Sequence, residues 1–322
     1  MSRLTHVRTG PYAPPVAAEE RVVTSADGAR LHVEVHGPAD APAVVLAHGW
    51  TCSTAFWAAQ TRALATDHRV IVYDQRGHGR SPASAQLPYT TDMLADDLEA
   101  VLGATLAPGQ RAVLAGHSMG GMTLMAAAGR AKVAEHAAAL LLCSTGSSRL
   151  VAESTVVPLL RPGGLRTRLT RAILGSKAPL GPVTPVGKKV LRYATMGPGS
   201  APDKVEACAR IVHACPRGVR HGWSQVLEQL QVDAGVRELT MPVAVLAGTA
   251  DRMTPVVLAR RIASELPNCV GLTELPGLGH MTPIEAPDAV TGKIRELSRT
   301  YIPTPAQVEQ DRKTQEEGVD AA

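Results

Sequence analysis

Three residues in this chain have the types and the order needed to attack a carbonyl carbon. Ser118 lies in Gly116-His117-Ser118-Met119-Gly120, Asp251 in Gly248-Thr249-Ala250-Asp251-Arg252, and His280 in Gly277-Leu278-Gly279-His280-Met281. A serine hydroxyl is a weak nucleophile at neutral pH, so it needs a base to take its proton, and the base needs a carboxylate to orient it. Each residue also has an ordinary explanation. The Gly-Ser-Gly cluster could be a simple turn, Asp251 a turn residue or N-cap ahead of a helix near Pro255, and His280 a surface-loop histidine. All three following short apolar runs, in the order serine, aspartate, histidine, favours acyl-transfer chemistry.

The elements that must position these groups are legible as short apolar runs alternating with helical patterns. Strands are expected at about 21–25, 30–36, 43–47, 69–73, 111–115, 138–143, 242–247 and 269–275, the first two as an antiparallel hairpin. Runs such as Ala43–Ala47 and Arg111–Ala115 do not alternate apolar and polar, as expected of strands covered on both faces. The fold class is therefore α/β, a mostly parallel eight-stranded sheet with helices on both faces. Residues 122–128 are strong helix formers, so Ser118 falls on a sharp strand-to-helix turn. Gly116 and Gly120 remove the Cβ atoms that would crowd such a turn. The helix N-terminus below Ser118 favours developing negative charge. His48-Gly49-Trp50 ends the strand at 43–47, and Gly49 lets the chain bend so that an amide faces the site. The backbone N–H groups of Trp50 and Met119 are the expected oxyanion donors, and His48 is read as a hydrogen-bonded structural residue.

Between 146 and 235 the alternation stops and the chain becomes rich in Arg, Pro and Gly. Leu165, Leu169 and Ile173 share one helical face, as do Val205, Ala209 and Val212, while Gly181-Pro182 and Gly197-Pro198-Gly199 punctuate the segment. Several short helices are expected there. The organisation is then an N-terminal extension (1–20), a core (21–145 and 236–302), a helical insertion (146–235) and a polar tail (303–322). The insertion holds thirteen basic and five acidic residues, +8, so the rest of this +4 chain is −4. That charge is either a solvated surface or a means of steering anionic partners, such as an acyl-thioester carrier, a phospholipid headgroup or an anionic membrane face.

The 322 residues are 45% hydrophobic but include only nine aromatics, so the core must be aliphatic. A charge of +4 is too mild to imply nucleic-acid binding, and no finger, helix-turn-helix or RNA-binding aromatic motif accompanies it. No apolar run is long enough for a membrane span or an export signal, and five scattered cysteines fit a reducing cytoplasm. Cys208 and Cys215 flank His213 without metal-ligand spacing, and no phosphate-binding or dinucleotide loop is present. Neither a metal nor a cofactor is expected.

His48-Gly49-Trp50, the run Tyr73-Asp74-Gln75-Arg76-Gly77-His78-Gly79-Arg80-Ser81, Gly116–Gly121, Ala250-Asp251-Arg252 and Gly279-His280-Met281 together resemble the α/β-hydrolase fold superfamily. The match is closest to its esterase, monoacylglycerol-lipase-like and cofactor-free haloperoxidase-like branches. The resemblance covers about residues 20–300. It implies that Asp74 and Arg76 are structural, and that the insertion forms a cap where substrate is selected. Ser118 stands where epoxide hydrolases and haloalkane dehalogenases carry Asp, which disfavours those activities. The expected function is cleavage of a carboxylic ester through Ser118, His280 and Asp251, the small acyl ester being anionic or carrier-linked if the basic cap steers it. Thioester, lactone and C–C bond hydrolysis are alternatives with the same triad. A ligand receptor or interaction protein built on the fold is an alternative of another class.

Overall fold

The computed structural model describes residues 7, 9–83, 87–158, 160 and 163–302. Its strands are β1 (Glu19–Thr24), β2 (Arg30–His36), β3 (Ala43–Ala47), β4 (Arg69–Tyr73), β5 (Ala112–His117), β6 (Ala137–Cys143), β7 (Val243–Gly248) and β8 (Cys269–Leu275). They form one sheet in the order β1-β2-β4-β3-β5-β6-β7-β8. β2 is antiparallel to both β1 and β4, and the other five pairings are parallel. The expected α/β class and the opening hairpin are thus observed. β5 runs two residues past its expected end because Gly116 and His117 stay paired with Leu142 and Cys143 of β6. Ser118 therefore sits immediately off a strand that is held to its last residue.

Among the described residues, four α-helices precede the insertion: α1 (Ala58–Leu64), α2 (Thr91–Thr105), α3 (Met119–Ala126) and α4 (Ala131–His136). Between β6 and β7 lie α5 (Leu150–Glu153), α6 (Gly164–Leu174), α7 (Pro185–Thr195), α8 (Pro202–Ala214), α9 (Arg217–Glu228) and α10 (Asp233–Glu238). After β7 come α11 (Val256–Glu265), α12 (Thr282–Glu285) and α13 (Pro287–Tyr301).

Side chains alternate across a strand, so each apolar run supplies two cores. Val44, Leu46, Val113, Leu141 and Leu246 pack with Leu64 of α1 and Val290, Ile294 and Leu297 of α13. Val45, Ile71, Leu114, Leu142 and Val245 pack on the other face with Leu98 and Leu102 of α2, Met122 of α3 and Leu258 of α11. Burying a leucine of this kind stabilises the fold by about 2 kcal/mol, and truncating one to alanine costs about 2–5 kcal/mol. The strands are aliphatic as expected, with Tyr73 the aromatic exception. The other buried aromatics brace loops. Phe56 and Trp57 lie below the loop after β3, and Tyr89 stacks on Trp223 with ring centroids 4.5 Å apart.

The insertion forms several short helices, and its Gly-Pro punctuation falls between α6 and α7 and between α7 and α8. Val205, Ala209 and Val212 are buried on α8. The stripe on α6 behaves differently: Leu165, Leu169 and Ile173 are 63%, 41% and 55% exposed. Arg166 and Thr170 occupy the buried side instead, with the Arg166 guanidinium donating to the Ala152 carbonyl at 2.9 Å. α9 is tied down firmly, since the fully buried Trp223 donates its indole N–H to the Arg76 carbonyl at 3.1 Å. The segment expected as an N-terminal extension is partly built into the fold. Tyr12 is buried and donates its hydroxyl to the Ile284 carbonyl at 3.1 Å. The expected polar tail at 303–322 lies outside the described residues. Among the described residues, no helix is long and apolar enough to cross a membrane.

Candidate active site

Ser118 occupies the turn between β5 and α3 with φ 51° and ψ −115°, a backbone conformation that a residue with a Cβ adopts only under constraint. The constraint is visible on both sides. Its N–H donates to the Cys143 carbonyl at 2.9 Å, and its carbonyl accepts the Thr145 hydroxyl at 2.7 Å. A Cβ at Gly116 would overlap the Gly120 carbonyl, and one at Gly120 would overlap the Ala47 carbonyl. Both positions exclude any larger residue, and the tight turn leaves the Ser118 hydroxyl facing His280.

His280 Nε2 lies 3.0 Å from Ser118 Oγ, and His280 Nδ1 lies 2.8 Å from Asp251 Oδ2. A carboxylate can only accept, so the imidazole carries its proton on Nδ1 and offers the Nε2 lone pair to the serine. Asp251 itself is locked. Its Oδ1 accepts the N–H groups of Met253 at 2.8 Å and Thr254 at 2.9 Å, and its Oδ2 accepts the Thr254 hydroxyl at 2.9 Å. The Thr254 oxygen also lies 3.1 Å from His280 Nδ1. Asp251 and His280 come off the ends of β7 and β8, which are parallel neighbours, so the sheet brings their loops together.

The loop bearing His280 is held from below and from the insertion. Buried Glu285 accepts the N–H groups of Gly279 and Met281, each at 3.1 Å, which bracket His280. The same carboxylate accepts Gly197 N–H at 2.6 Å and the Ser200 hydroxyl at 2.8 Å, both from the link between α7 and α8. His280 N–H donates to the Thr195 carbonyl at the end of α7, 2.8 Å away. His117 Nε2 faces the His280 carbonyl at 2.8 Å and must carry its proton there. Burial, and then the neighbouring His280, hold His117 well below the usual histidine range, so it stays neutral.

Gly49 lies where a Cβ would come within 2.7 Å of His117 Nδ1 and 3.1 Å of Ser118 Cβ, so the loop after β3 passes directly beside the serine. Trp50, the next residue of that loop, lines the same cavity as Ser118, while Met119 is fully buried at the start of α3. Trp50 is fixed by its indole N–H, which donates to the Arg220 carbonyl of α9 at 3.0 Å. His48 is fully buried, accepting Gln75 N–H at 3.0 Å on Nε2, and burial pushes its pKa down to about 3. Asp74 accepts the N–H groups of Thr54 and Arg80, each at 2.8 Å, and Arg76 pairs with Asp97 and Asp27 inside the fold.

A family described as "Alpha/beta hydrolase family" matches residues 44–292, which span the whole of this arrangement. The chain belongs to that family. It is 32% identical over 257 residues to a Variovorax paradoxus protein named "Putative carbamate hydrolase RutD", covering 78% of this chain and 89% of the relative. It is 26% identical over 284 residues to the bifunctional esterase/perhydrolase DCH of Acinetobacter calcoaceticus, covering 86% and 99%. A solved thermophilic esterase from Thermogutta terrifontis superposes with a TM-score of 0.70 at 25% identity, over 89% of this chain and 100% of that one.

In this α/β-hydrolase, Ser118 and His280 lie at the foot of a cavity of about 580 Å³ between the sheet and the insertion. Met122, Leu150, Val151, Val156, Ile173, Leu191, Val212 and Leu227 make its lining mainly apolar, and its charged members are the Arg171–Glu228 ion pair and Arg220, whose guanidinium donates to the Ser176 and Ala178 carbonyls. Cys52, Cys208 and Cys215 are held as neutral thiols by burial, Cys208 and Cys215 at about 12. Among the described residues, the one group of side chains close enough to share a metal is Glu20, His32 and Glu34 on β1 and β2. Arg80 already pairs with Glu20 and lies 3.8 Å from Glu34, so a cation occupies that position.

Thr254, Glu285, Thr195 and His117 are parts of the site that sequence reasoning left without a role. Thr254 had a local signal, because an Asp followed three residues later by a Thr can close a side-chain turn. The others had none.

Proposed function

We propose that this α/β-hydrolase cleaves a carboxylic ester with Ser118 as nucleophile, His280 as general base and acid, and Asp251 as the group that orients and charge-stabilises the imidazole. The observation that carries this reading is the continuous chain from Ser118 Oγ through His280 to Asp251, at 3.0 and 2.8 Å, at the foot of an apolar cavity. Ser118 Oγ attacks the carbonyl carbon while its proton passes to His280 Nε2. The negative oxygen is received by the N–H groups of Trp50 and Met119, supported by the N-terminus of α3. As the tetrahedral intermediate collapses, His280 returns the proton to the leaving alcohol. Water, deprotonated by the same imidazole, then releases the acid from the acyl-enzyme.

The apolar lining supports an acyl group of hydrocarbon character. A second reading, hydrolysis of a carbamate by the same three residues, is favoured by the relative named as a carbamate hydrolase at 32% identity. A panel of aryl and alkyl esters, thioesters, lactones and carbamates, run with the wild type and with Ser118→Ala, separates these readings. Ester turnover that exceeds carbamate turnover and vanishes in Ser118→Ala supports the first. Dominant carbamate turnover supports the second, and undiminished turnover in Ser118→Ala removes both.

A further inference from the structure

The insertion carries a surface that chemistry at Ser118 does not require. Between Glu153 and Asp203 the chain has eight basic residues and no acidic one. On α6, Leu165, Leu169 and Ile173 form a stripe one turn apart and at least 41% exposed. On α7, where no residue is buried, Val186, Val190 and Tyr193 form a second stripe, 71%, 63% and 38% exposed. Leu180, in the link between the two helices, is 47% exposed. Ile173 and Leu180 also line the cavity, so the exposed apolar surface runs into the opening that leads to Ser118.

Cations border this surface. Arg171 and Lys188 are paired with Glu228 and Glu206, but Arg168, Lys177, Lys189 and Arg192 have no ion-pair partner among the described residues. Leaving this many large aliphatic side chains in water is unfavourable, and exposed apolar side chains gathered on the two helices beside a cavity mouth mark a contact site. An acidic protein would satisfy the cations without using the aliphatic stripes. A helix with protruding aliphatic residues on one side and basic residues beside them matches a lipid interface, where the apolar side enters the acyl boundary and the cations meet anionic headgroups.

We propose that the exposed face of α6 and α7 docks on an anionic lipid surface with the cavity mouth turned toward it, so that an acyl ester passes from the lipid into the cavity. The passage of substrate rests on Ser118 being the nucleophile; the docking does not.

The test is sedimentation with vesicles of phosphatidylcholine alone and of phosphatidylcholine containing phosphatidylglycerol, using the wild type, Ser118→Ala, the pair Lys189→Glu with Arg192→Glu, and the pair Val186→Ser with Val190→Ser. None of the four surface positions lines the cavity, so turnover of a water-soluble short ester by the two surface variants reports that they remain folded. The expected result is that wild type and Ser118→Ala bind the anionic vesicles equally. Binding to phosphatidylcholine alone should be at least about ten-fold weaker, as should binding of either surface pair to the anionic vesicles. Failure of the wild type to sediment with anionic vesicles at low salt would overturn the docking, as would undiminished binding by both surface pairs. Capture by an acidic acyl-carrier protein, unaffected by Val186→Ser with Val190→Ser and without vesicle binding, would replace the lipid with a protein partner. Vesicle binding by a Ser118→Ala protein that is no less active than the wild type would leave the docking standing and remove the assigned nucleophile.

Discussion

The carboxylate of Glu285 accepts the backbone N–H groups on both sides of His280, Gly279 and Met281, each at 3.1 Å. It also accepts Gly197 N–H and the Ser200 hydroxyl from the insertion. One buried side chain thus fixes the histidine loop and joins it to the segment that roofs the cavity. Glu285→Ala leaves the N–H groups of Gly279 and Gly197 and the Ser200 hydroxyl without an acceptor, leaves Met281 N–H only the Thr195 carbonyl at 3.2 Å, and frees the loop. We expect kcat to fall about 10²-fold with KM changed much less, and stability to fall by about 1–3 kcal/mol. Glu285→Gln, which keeps an acceptor oxygen, should recover part of both. Steady-state kinetics and urea unfolding on the two variants check this; equal kcat in Glu285→Ala and wild type would contradict it.

Thr254 acts one step further from the serine, on the carboxylate that orients His280. Its hydroxyl donates to Asp251 Oδ2, the oxygen that faces His280 Nδ1. Thr254→Val keeps the shape and removes that hydrogen bond, so kcat should fall by roughly ten-fold. Asp251→Asn removes the charge and the correct imidazole tautomer, and should cost about 10³–10⁴-fold. An Asp251→Asn enzyme within a few-fold of wild type would show that the imidazole is oriented by something else.

Gly49 tests the oxyanion assignment. A methyl group there would press on His117 Nδ1 and Ser118 Cβ, moving the Trp50 amide away from the serine. Gly49→Ala should lower kcat about 10²-fold while substrate still binds. A change confined to KM would place the oxyanion donors elsewhere.

Acid sensitivity follows from histidines buried in neutral form. Burial lowers His48 to about 3 and His78 to about 4, whereas both titrate near 6.5 in the unfolded chain. Below about pH 6.5 the unfolded chain binds protons that the folded one does not, so stability falls as pH falls, by about 1.4 kcal/mol per pH unit for each histidine. Asp74 opposes this in part. Burial raises it to about 6 and raises Asp97 as well, so at these two groups the folded protein gains its proton first and acidification favours folding. With three such histidines, the buried neutral His117 included, against two raised aspartates, the urea midpoint should drop between about pH 7 and about pH 4.5. His78→Gln should make that drop shallower, and a midpoint independent of pH would contradict the buried neutral histidines.

The sheet was legible because strands covered on both faces need unbroken apolar runs, as in Ala43–Ala47 and Ala112–Ala115. Ser118, Asp251 and His280 were legible because a tight turn and two strand ends leave glycine-rich neighbours in the sequence. Glu285 was not. Five residues after His280, it reads as an ordinary acidic residue at the end of a short helical stretch, and only the closure of the loop brings its carboxylate under the histidine. The α6 stripe illustrates a different limit: periodicity shows that Leu165, Leu169 and Ile173 share a face, but not what that face meets.

A Ser118 hydroxyl activated by His280 should react with a fluorophosphonate as it does with an ester carbonyl. Intact-mass and peptide mapping after treatment should give one adduct on the folded wild type, located on Ser118, and none on Ser118→Ala. An unlabelled wild type, or an adduct that persists in Ser118→Ala, would contradict that assignment.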